Sequence, residues 1–397
     1  STGTGSGKTE CFLWPIIAKC FDEAKNRPEQ FKKESVRTLI IYPMNALVSD
    51  QLARFRKIIG SDKFMEIFTR TTQATRIPHF GMYTGRTPYS GDAKQSSSKE
   101  LAETFRENYL VDSNADTEVQ RRQQNNITGL KSINKYPARF GENGMEEFID
   151  RLEKNIHKPS PYDAEFITRF EMQDYPPDIL ITNYSMLEYM LMRNREANIW
   201  TKTKEWLDIS VENKLLIVLD EAHMYRGSAG GEIALLLERL FYRLGITAER
   251  VQFILTTASM PQGEQEAINN FYSGLTGKHA SSCEFLFGSK EPVLEKAEIN
   301  TDIAALTSMG TDQVQGLAIG DRIRAFAKAV FHTDLPPNST VEQTQEWLYD
   351  NLPRYEAFVK LNMLCRDGAK SYSEIKNSLF GNSSDGEKAL DALLVLV

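Results

Sequence analysis

Short apolar runs alternate with longer segments of helical spacing from residue 3 to about residue 255. Four of the runs predict β-strands, at residues 38–42, 178–182, 215–219 and 251–256. They are almost continuous in apolar residues, which is typical of strands that are buried on both faces. Between them, apolar positions three and four residues apart predict helices at residues 8–25, 46–59 and 231–244. This alternation predicts an α/β fold in which a parallel sheet carries helices on both faces.

A polar segment at about residues 86–174 interrupts the alternation. At about 90 residues it is too long for a simple loop, so it is either a partly folded surface module or a mobile one. Within it, residues 120–141 carry five basic side chains and no acidic one, namely Arg121, Arg122, Lys131, Lys135 and Arg139. This stretch is either a solvated basic loop or a contact with a phosphate backbone.

Beyond residue 261 the pattern becomes mainly helical, with helices predicted at residues 321–331, 341–352, 355–365, 372–380 and from 385 onward. We therefore expect a first domain at residues 1–261 and a helical accessory domain at residues 262–397. The last three helices suit either a winged-helix unit or ordinary helix packing. The chain begins without Met and ends inside an apolar helical run, so we expect it to be part of a longer protein.

The composition is that of an ordinary globular protein, with 41% hydrophobic and 25% charged residues among 397. The 47 basic and 54 acidic residues give a net charge of −7, so any contact with nucleic acid must be local. No apolar run is long enough to cross a membrane and no export signal opens the sequence, so we expect a cytoplasmic protein without membrane contact. The four cysteines lack metal-ligand spacing, so neither a zinc site nor a disulfide framework is expected.

The residues at the start of the first predicted helix are typical of a phosphate-binding loop. They are Gly3, Thr4, Gly5, Ser6, Gly7, Lys8 and Thr9. Glycines let backbone N–H groups turn toward phosphate oxygens at a helix N-terminus, where the helix dipole also favours negative charge. We predict that Lys8 reaches the β- and γ-phosphates of ATP and that the Thr9 hydroxyl holds Mg²⁺. The alternative is a chance glycine-rich loop.

Two adjacent acidic residues, Asp220 and Glu221, follow the buried strand predicted at residues 215–219. Ligands of open α/β sheets bind at the carboxyl ends of the strands, and two acids are costly to bury there without a cation or a proton-transfer role. We predict that Asp220 contacts Mg²⁺ and that Glu221 orients and deprotonates the attacking water. The alternative is an exposed turn at the strand end.

With Ala222 and His223 these acids form a D-E-A-H box. A GSGKT loop followed by this box resembles the first RecA-like lobe of a superfamily-2 DEAD/DEAH-box helicase, and further segments fall in that family's order. Residues 43–51 resemble motif Ia, residues 182–187 resemble the next strand-contacting motif, and residues 257–259 resemble motif III. The resemblance implies a RecA-like P-loop NTPase lobe with ATP and Mg²⁺ as cofactors.

In that family, motif Ia and the next motif hold the nucleic-acid backbone. The resemblance therefore implies nucleic-acid contacts at Pro43, Asn45, Ala46, Ser49, Gln51, Thr182, Asn183 and Ser185, and a glycine turn adds Gly85 and Arg86 as candidates. Free backbone N–H groups at the start of the helix near residue 46 agree with phosphate binding. The alternatives are a helix N-cap at Asn45, a strand-end turn at Thr182 and Asn183, and a plain turn at Gly85.

Motif III couples ATP hydrolysis to strand movement in the family, which implies a coupling role for Thr257 and Ser259. His223 would relay between the nucleotide and Ser259, or else it is satisfied within its own turn. The segment after the box, MYRG followed by two glycines and a leucine-rich helix, is similar to the bacterial YprA-like (MrfA) helicases. Those proteins end in a cysteine-rich zinc domain and include helicase subunits of the Druantia and DISARM antiphage systems.

The resemblance implies an ATP-dependent DNA helicase or translocase, with RNA as the other candidate polymer, in genome maintenance or antiphage defence. The implied partners are DNA, a second RecA-like lobe outside these residues and subunits of a defence system. Without that lobe's arginine fingers we expect weak ATP binding and poor hydrolysis. The alternatives are an ATP-dependent remodeller of RNA or nucleoprotein, and a nucleic-acid-binding subunit whose ATP site is only structural.

Overall fold

The computed structural model describes residues 8–88, 94–257, 265–286, 297–309, 314, 317–365, 369–381 and 383–396, except for the side chains of residues 8, 45–47, 49 and 50. The chain divides into two compact units, residues 1–288 and residues 289–397. Each unit has its own apolar core.

The first unit is built on one sheet of six parallel strands. The strands are β1 (Thr38–Tyr42), β2 (Phe80–Met82), β3 (Glu165–Phe166), β4 (Ile179–Asn183), β5 (Leu215–Leu219) and β6 (Val251–Leu255). Their order across the sheet is β3-β2-β4-β1-β5-β6. The four predicted strands are present to within one residue at each end, whereas β2 and β3 are too short to show a pattern.

Helices cover both faces of this sheet. In chain order they are α1 (Lys8–Asn26), α2 (Pro28–Phe31), α3 (Asn45–Ile58), α4 (Asp62–Thr72), α5 (Gln95–Tyr109), α6 (Thr117–Ser132), α7 (Gly144–Glu153), α8 (Arg169–Asp174), α9 (Tyr184–Met192), α10 (Ala197–Ile209), α11 (Ser228–Leu244) and α12 (Gln265–Thr276). Helices α1 to α4 pack on one face and α8 to α12 on the other. The predicted α/β fold, with a parallel sheet and helices on both faces, is confirmed.

Alternate side chains of each central strand enter opposite cores. Leu39 and Ile41 of β1 lie in the core beneath α9 to α11, while Ile40 and Tyr42 lie in the core beneath α1, α3 and α4. All four are fully buried, which is why the strand is apolar without interruption.

A buried ion network lies at the amino edge of the sheet, where β1 and β4 begin. The guanidinium of Arg37 donates to Glu23 (Nη2 to Oε1, 3.0 Å) and to Asp178 (Nη1 to Oδ1, 2.7 Å). Arg76 donates to the other oxygen of Asp178 at 2.6 Å, and the Trp206 indole donates to Glu23 at 2.8 Å. Burial alone would raise the pKa of Asp178, but the charges of Arg76 and Arg37 outweigh it and lower that pKa to about 2.

This network sets the direction of α1. Glu23 lies in the last turn of α1, and its partner Arg37 comes just before β1. The C-terminal end of α1 is therefore held at the amino edge of the sheet, and the helix runs antiparallel to β1. Its first turn, with Thr9, consequently points toward the carboxyl edge, the edge at which the strands end.

Part of the segment predicted as a polar insertion is a small helical module. Helices α5 and α7 pack through their own apolar cluster, which includes Leu101, Phe105 and Phe148. Residues 165–174 of the predicted insertion belong instead to the main domain, because β3 joins the sheet and Phe166 and Met172 enter its core.

The structure corrects the prediction for Arg139, which was grouped with the basic residues of the stretch at 120–141. Its side chain is 1% exposed and donates to Asp163 at 2.9 Å and to Glu171 at 2.6 Å. Its guanidinium also lies over the ring of Phe148, 4.1 Å from the centroid. Arg139 therefore joins the module to the sheet domain and is not available to a phosphate backbone.

The second unit is helical. Its helices are α13 (Ile303–Met309), α14 (Ile319–Phe331), α15 (Val341–Asn351), α16 (Glu356–Cys365), α17 (Tyr372–Phe380) and α18 (Gly386–Leu394). Helix α12 lies outside it, because Leu275 enters the core of the first unit. None of the described helices is long and apolar enough to span a bilayer.

Helix α18 presents both signs of charge to solvent. Glu387, Lys388 and Asp391 are exposed on it, and the Tyr372 hydroxyl of α17 donates to Asp391 at 2.8 Å. The last three helices therefore stay open to both interpretations, a winged-helix unit and ordinary helix packing.

The buried network predicts a large loss of stability in the variant Arg37→Met. The change leaves Glu23 and Asp178 buried with fewer compensating charges, so we expect the free energy of unfolding to fall by about 3–5 kcal/mol. Urea unfolding followed through the fluorescence of the buried Trp206 measures the loss.

Arg70→Met is the matched control. Arg70 pairs with Glu66 on the surface, where both side chains are about 70% exposed, and its loss should change stability by no more than about 0.5 kcal/mol. Equal effects of the two substitutions would contradict a stabilising role for the buried network.

The buried His79 is expected to make the stability of the first unit sensitive to acid. The ring stacks on Phe166 at 4.8 Å and Nδ1 lies 2.7 Å from the carbonyl oxygen of Asp163. Burial, reinforced by the charge of Arg76, lowers the pKa of His79 from 6.5 to about 4. Because the unfolded chain then binds a proton at higher pH than the folded one, stability is complete above pH 6.5 and falls as the pH drops toward 4.

The lowered pKa corresponds to a loss of about 3 kcal/mol between pH 6.5 and pH 4. Urea titrations at several pH values should show this slope in the wild type and a flatter one in His79→Gln. The exposed His332 provides the control His332→Gln, which should keep the wild-type slope. A wild-type slope in His79→Gln would show that another group titrates.

Candidate functional site

Candidate site residues from four strands lie together at the carboxyl edge of the sheet. Tyr42 of β1 pairs in register with Asn183 of β4, and Leu219 of β5 pairs with Ile41 and with Leu255 of β6. These strands end at the same level. The residues that follow them therefore lie side by side along one edge.

Asp220 is the buried acid of this edge. It is 6% exposed, and its Oδ1 accepts the backbone N–H of Glu221 at 2.9 Å and the hydroxyl of Thr256. Both contacts reach the same oxygen, so Oδ2 has no donor among the described residues. A carboxylate held in this way keeps one oxygen for a cation.

Thr256 was missed by the sequence analysis. It is the first residue after β6, one position before the Thr257 that the motif comparison singles out. Strand β6 pairs with β5, so the residue that follows β6 lies next to Asp220, which follows β5. The pairing of β6 with β5 could have identified Thr256, but the sequence alone does not reveal which strands pair.

Glu221 has a left-handed backbone conformation, with φ 49° and ψ 45°. This region is uncommon for residues with a side chain and costs about 1 kcal/mol or more. The turn is held from the other side by a hydrogen bond from the Ala222 N–H to the Thr256 carbonyl, 2.8 Å. The Glu221 side chain is 22% exposed, so its carboxylate reaches the surface of the edge.

His223 connects this carboxylate to the end of β6. Its Nδ1 lies 3.3 Å from Oε2 of Glu221 and 3.2 Å from Oγ1 of Thr257. Ser259, through which the sequence analysis routed this connection, lies outside the described residues. Within them the connection runs through Thr257.

The phosphate-binding loop is described only at its end. Gly3, Thr4, Gly5, Ser6 and Gly7 lie outside the described residues, and so does the side chain of Lys8, which begins α1. Thr9 is 5% exposed in the first turn of α1. Because α1 runs antiparallel to β1, this turn lies at the same edge as Asp220.

Two buried tyrosine hydroxyls also lie near Asp220, and the sequence analysis missed both. Tyr42 is fully buried on one face of the sheet and Tyr225 is 3% exposed on the other, and neither hydroxyl has a hydrogen-bond partner among the described residues. Burial and then the charge of Asp220 raise the pKa of each phenol. Both hydroxyls stay neutral and remain donors.

The motif Ia residues lie at the start of α3. Met44, which is half exposed, is the N-cap, so the interpretation of Asn45 as N-cap is corrected. The side chains of Asn45, Ala46 and Ser49 lie outside the described residues. Pro43 is half-buried, and Gln51 has a buried Oε1 without a partner among the described residues. The first N–H groups of α3 have no partner within the helix and face the carboxyl edge.

In the next motif, residues 182–187, two of the predicted contact residues form hydrogen bonds within the fold. Thr182 is fully buried and its hydroxyl donates to the Tyr83 carbonyl at 2.7 Å, so the prediction that it contacts nucleic acid does not fit this position. The Asn183 side chain accepts the Met186 N–H at 2.8 Å and caps α9. Ser185, in the first turn of α9, is exposed.

Gly85 and Arg86 form the exposed tip of the turn after β2. The turn is closed by Thr87, whose hydroxyl accepts the Thr84 N–H at 2.9 Å and donates to the Met82 carbonyl at 2.6 Å. It is a self-contained turn that presents Arg86 at the carboxyl edge.

Comparison with known proteins matches most of the sheet domain. The sequence model of the DEAD/DEAH box helicase family matches residues 1–84 and 144–268, which leaves the segment with α5 and α6 unmatched. Druantia protein DruE of Escherichia coli (strain UMEA 4076-1) is 37% identical over 431 aligned positions, which cover 100% of this chain and 22% of that protein. The chain thus spans about a fifth of the length of this relative.

Two crystal structures of the DUF1998 helicase MrfA were also matched. The structure bound to DNA and AMPPNP has a TM-score of 0.33 and 14% identity, and the match covers 83% of this chain and 33% of MrfA. The other has a TM-score of 0.34 and 15% identity, and the match covers 94% of this chain and 40% of MrfA. Since the family model matches more than half of the residues, the chain belongs to the DEAD/DEAH box helicase family.

Proposed function

We propose that this chain is the ATP-binding lobe of an ATP-dependent DNA helicase or translocase of superfamily 2, which couples ATP hydrolysis to movement on nucleic acid. The observation that carries the proposal is the carboxyl edge of the sheet. There the buried Asp220 keeps one carboxylate oxygen available beside the first turn of α1, and Glu221 stands next to it.

The donor set of this edge suits a magnesium ion. Asp220 and Thr9 supply a carboxylate and a hydroxyl oxygen, which are ligands that Mg²⁺ prefers. Bound Mg²⁺ would neutralise the negative charge that develops on the phosphates. Lys8 and the backbone N–H groups of residues 3–7 would hold the phosphates, while Thr256 keeps the Asp220 carboxylate in orientation.

Glu221 would act on water. Its side chain is 22% exposed, and Nδ1 of His223 lies 3.3 Å from its Oε2. The carboxylate would orient a water molecule and accept its proton as the water attacks the γ-phosphate. Through His223 and Thr257 the state of this carboxylate would reach the segment after β6.

The nucleic acid would lie across the same edge. The first N–H groups of α3, together with Ser185 and Arg86, would offer donors to phosphate oxygens, while at the start of α9 the Met186 N–H is already held by Asn183. Thr182 is not among them, because its hydroxyl is engaged inside the sheet.

The biological setting follows from the resemblance. The relative DruE is named a Druantia protein and is much longer than this chain. We therefore propose a role in antiphage defence for a cytoplasmic protein whose partners include a second RecA-like lobe and other subunits of a defence system.

The variant Glu221→Gln separates binding from turnover. It removes the base and keeps the shape, so nucleotide binding should persist while the DNA-stimulated ATPase rate falls by a factor of about 100 or more. Fluorescence anisotropy of a labelled ATP analogue and phosphate release measure the two quantities. Lys8→Ala provides the contrast, because it should lose nucleotide binding itself.

Normal hydrolysis by Glu221→Gln would show that Glu221 is not the base. Stimulation of the wild type by RNA and not by DNA would instead favour an RNA remodeller. Tight nucleotide binding without any turnover in the presence of DNA, measured on a protein that also contains the second RecA-like lobe, would favour a binding subunit.

The variant Thr256→Val tests the orientation of Asp220. Loss of the hydroxyl leaves the carboxylate without one of its two donors, so the Mg²⁺ concentration needed for half-maximal nucleotide binding should rise about tenfold. Thr276→Val is the control, because the Thr276 hydroxyl donates to the Tyr272 carbonyl at 2.8 Å and accepts the Lys278 N–H at 3.2 Å, and neither bond involves Asp220. An unchanged Mg²⁺ requirement in Thr256→Val would exclude Thr256 from the metal site.

A further inference from the structure

Helix α6 has an unusual surface for a helix of this length. It extends over 16 residues, from Thr117 to Ser132, and Ile127 is its one buried side chain. Its exposed side chains include Arg121, Arg122, Gln124, Asn125 and Asn126, together with Glu118 and Val119. A helix with so little buried area is not explained by packing alone.

The charge of α6 is opposite to that of the chain. Arg121, Arg122 and Lys131 of the helix and Lys135 just after it are all exposed, whereas the acids from the N-cap Asp116 to residue 135 are Asp116 and Glu118. None of these four bases forms an ion pair within the part of the chain that the structure describes. The net charge of the whole chain is −7, so this helix is a local basic surface on an acidic protein.

The neighbouring helix α7 has the opposite surface. Glu146, Glu147 and Asp150 are exposed along it, while its other side packs on α5. Positive and negative charge are thus separated within one small module. An anionic polymer would be attracted to α6 and repelled from α7.

The module holds α6 in a fixed position. Gln123 accepts the Asp112 N–H at 2.9 Å near the middle of the helix, and the Lys131 ammonium lies over the Tyr136 ring at its C-terminal end. The Tyr136 hydroxyl donates to the Tyr109 carbonyl at 3.1 Å, and Arg139 continues into the buried ion pairs with the sheet domain. A surface held in this way loses little conformational entropy on binding.

We propose that the exposed side of α6 binds double-stranded DNA, as a contact that this chain has in addition to the edge of the sheet. The proposal rests on the proposed function, since it assigns part of that DNA to a second surface. Arg121 and Arg122 would neutralise phosphates, and the amide of Asn125, which lies on the same side of the helix and opposite Ile127, would face the groove. The segment lies outside both ranges that the family model matches, so it is an addition to the shared motor.

The residue types favour a duplex over a single strand. Single-strand sites depend on aromatic side chains that stack on bases, and α6 contains no aromatic residue. Arginine, asparagine and glutamine are the side chains that pair with base edges in the major groove, which admits one helix. The deep, narrow major groove of duplex RNA does not admit a helix, so DNA is the better fit.

The test compares the double variant Arg121→Ala/Arg122→Ala with wild type. Binding of a labelled DNA duplex is followed by fluorescence anisotropy at several salt concentrations. Loss of two phosphate contacts should weaken duplex binding about tenfold and lower the slope of log K against log salt by about 1.8. Binding of single-stranded DNA and of duplex RNA should change by less than about twofold.

Lys99→Ala/Lys154→Ala is the matched control. Both lysines are exposed in the same module, outside α6, and their removal changes the net charge equally. This control should keep the wild-type affinity and slope, and thermal unfolding verifies that all variants are folded.

Four outcomes would overturn the proposal. Wild-type duplex binding in the α6 variant, with DNA-stimulated ATPase intact, would overturn it and leave the proposed function standing. Equal weakening for duplex DNA, single strands and RNA would show a general phosphate contact instead of a duplex site. An equal effect of the lysine control would reduce the result to net charge. Absence of any nucleic-acid binding by the wild type would overturn both proposals.

Discussion

The buried guanidinium of Arg37 is the constraint on which the first unit depends. It joins Glu23 at the end of α1 to Asp178 at the start of β4, from a position just before β1. Three elements that are distant along the chain are thereby aligned at one edge of the sheet. Their other ends then meet at the opposite edge, where the phosphate-binding helix begins and the acidic box follows β5. Charges buried in this way destabilise any arrangement that leaves one of them unpaired, so they specify a single register.

Much of the fold could be predicted from the sequence because the central strands are buried on both sides. An uninterrupted apolar run such as residues 215–219 shows a strand without reference to its neighbours. The acids that follow it could be assigned to the carboxyl edge for the same reason. Strands β2 and β3 have three and two residues and are defined by pairing, which is a property of the partner strand as much as of their own residues.

The parts of the site that escaped prediction depend on contacts between segments distant in the sequence. Arg139 looked like one of five equivalent basic residues, and only its burial between Asp163 and Glu171 distinguishes it. Thr182 and Thr256 are both threonines at the carboxyl ends of strands, yet the Thr182 hydroxyl is engaged within the sheet and the Thr256 hydroxyl donates to Asp220. The residue type determines which interactions a side chain can form, and its neighbours in the fold determine which of them it forms.

Glu221 stands where the backbone would be most relaxed with glycine or asparagine, since φ is 49°. Glycine or asparagine at this position would lower the strain of the turn but would remove the carboxylate. Substitutions that stabilise the turn at this position therefore remove the carboxylate, and keeping the carboxylate keeps the backbone strain. Under the proposed function, the side chain at this position in a relative that shares the turn would distinguish a lobe that hydrolyses nucleotide from one that only binds it.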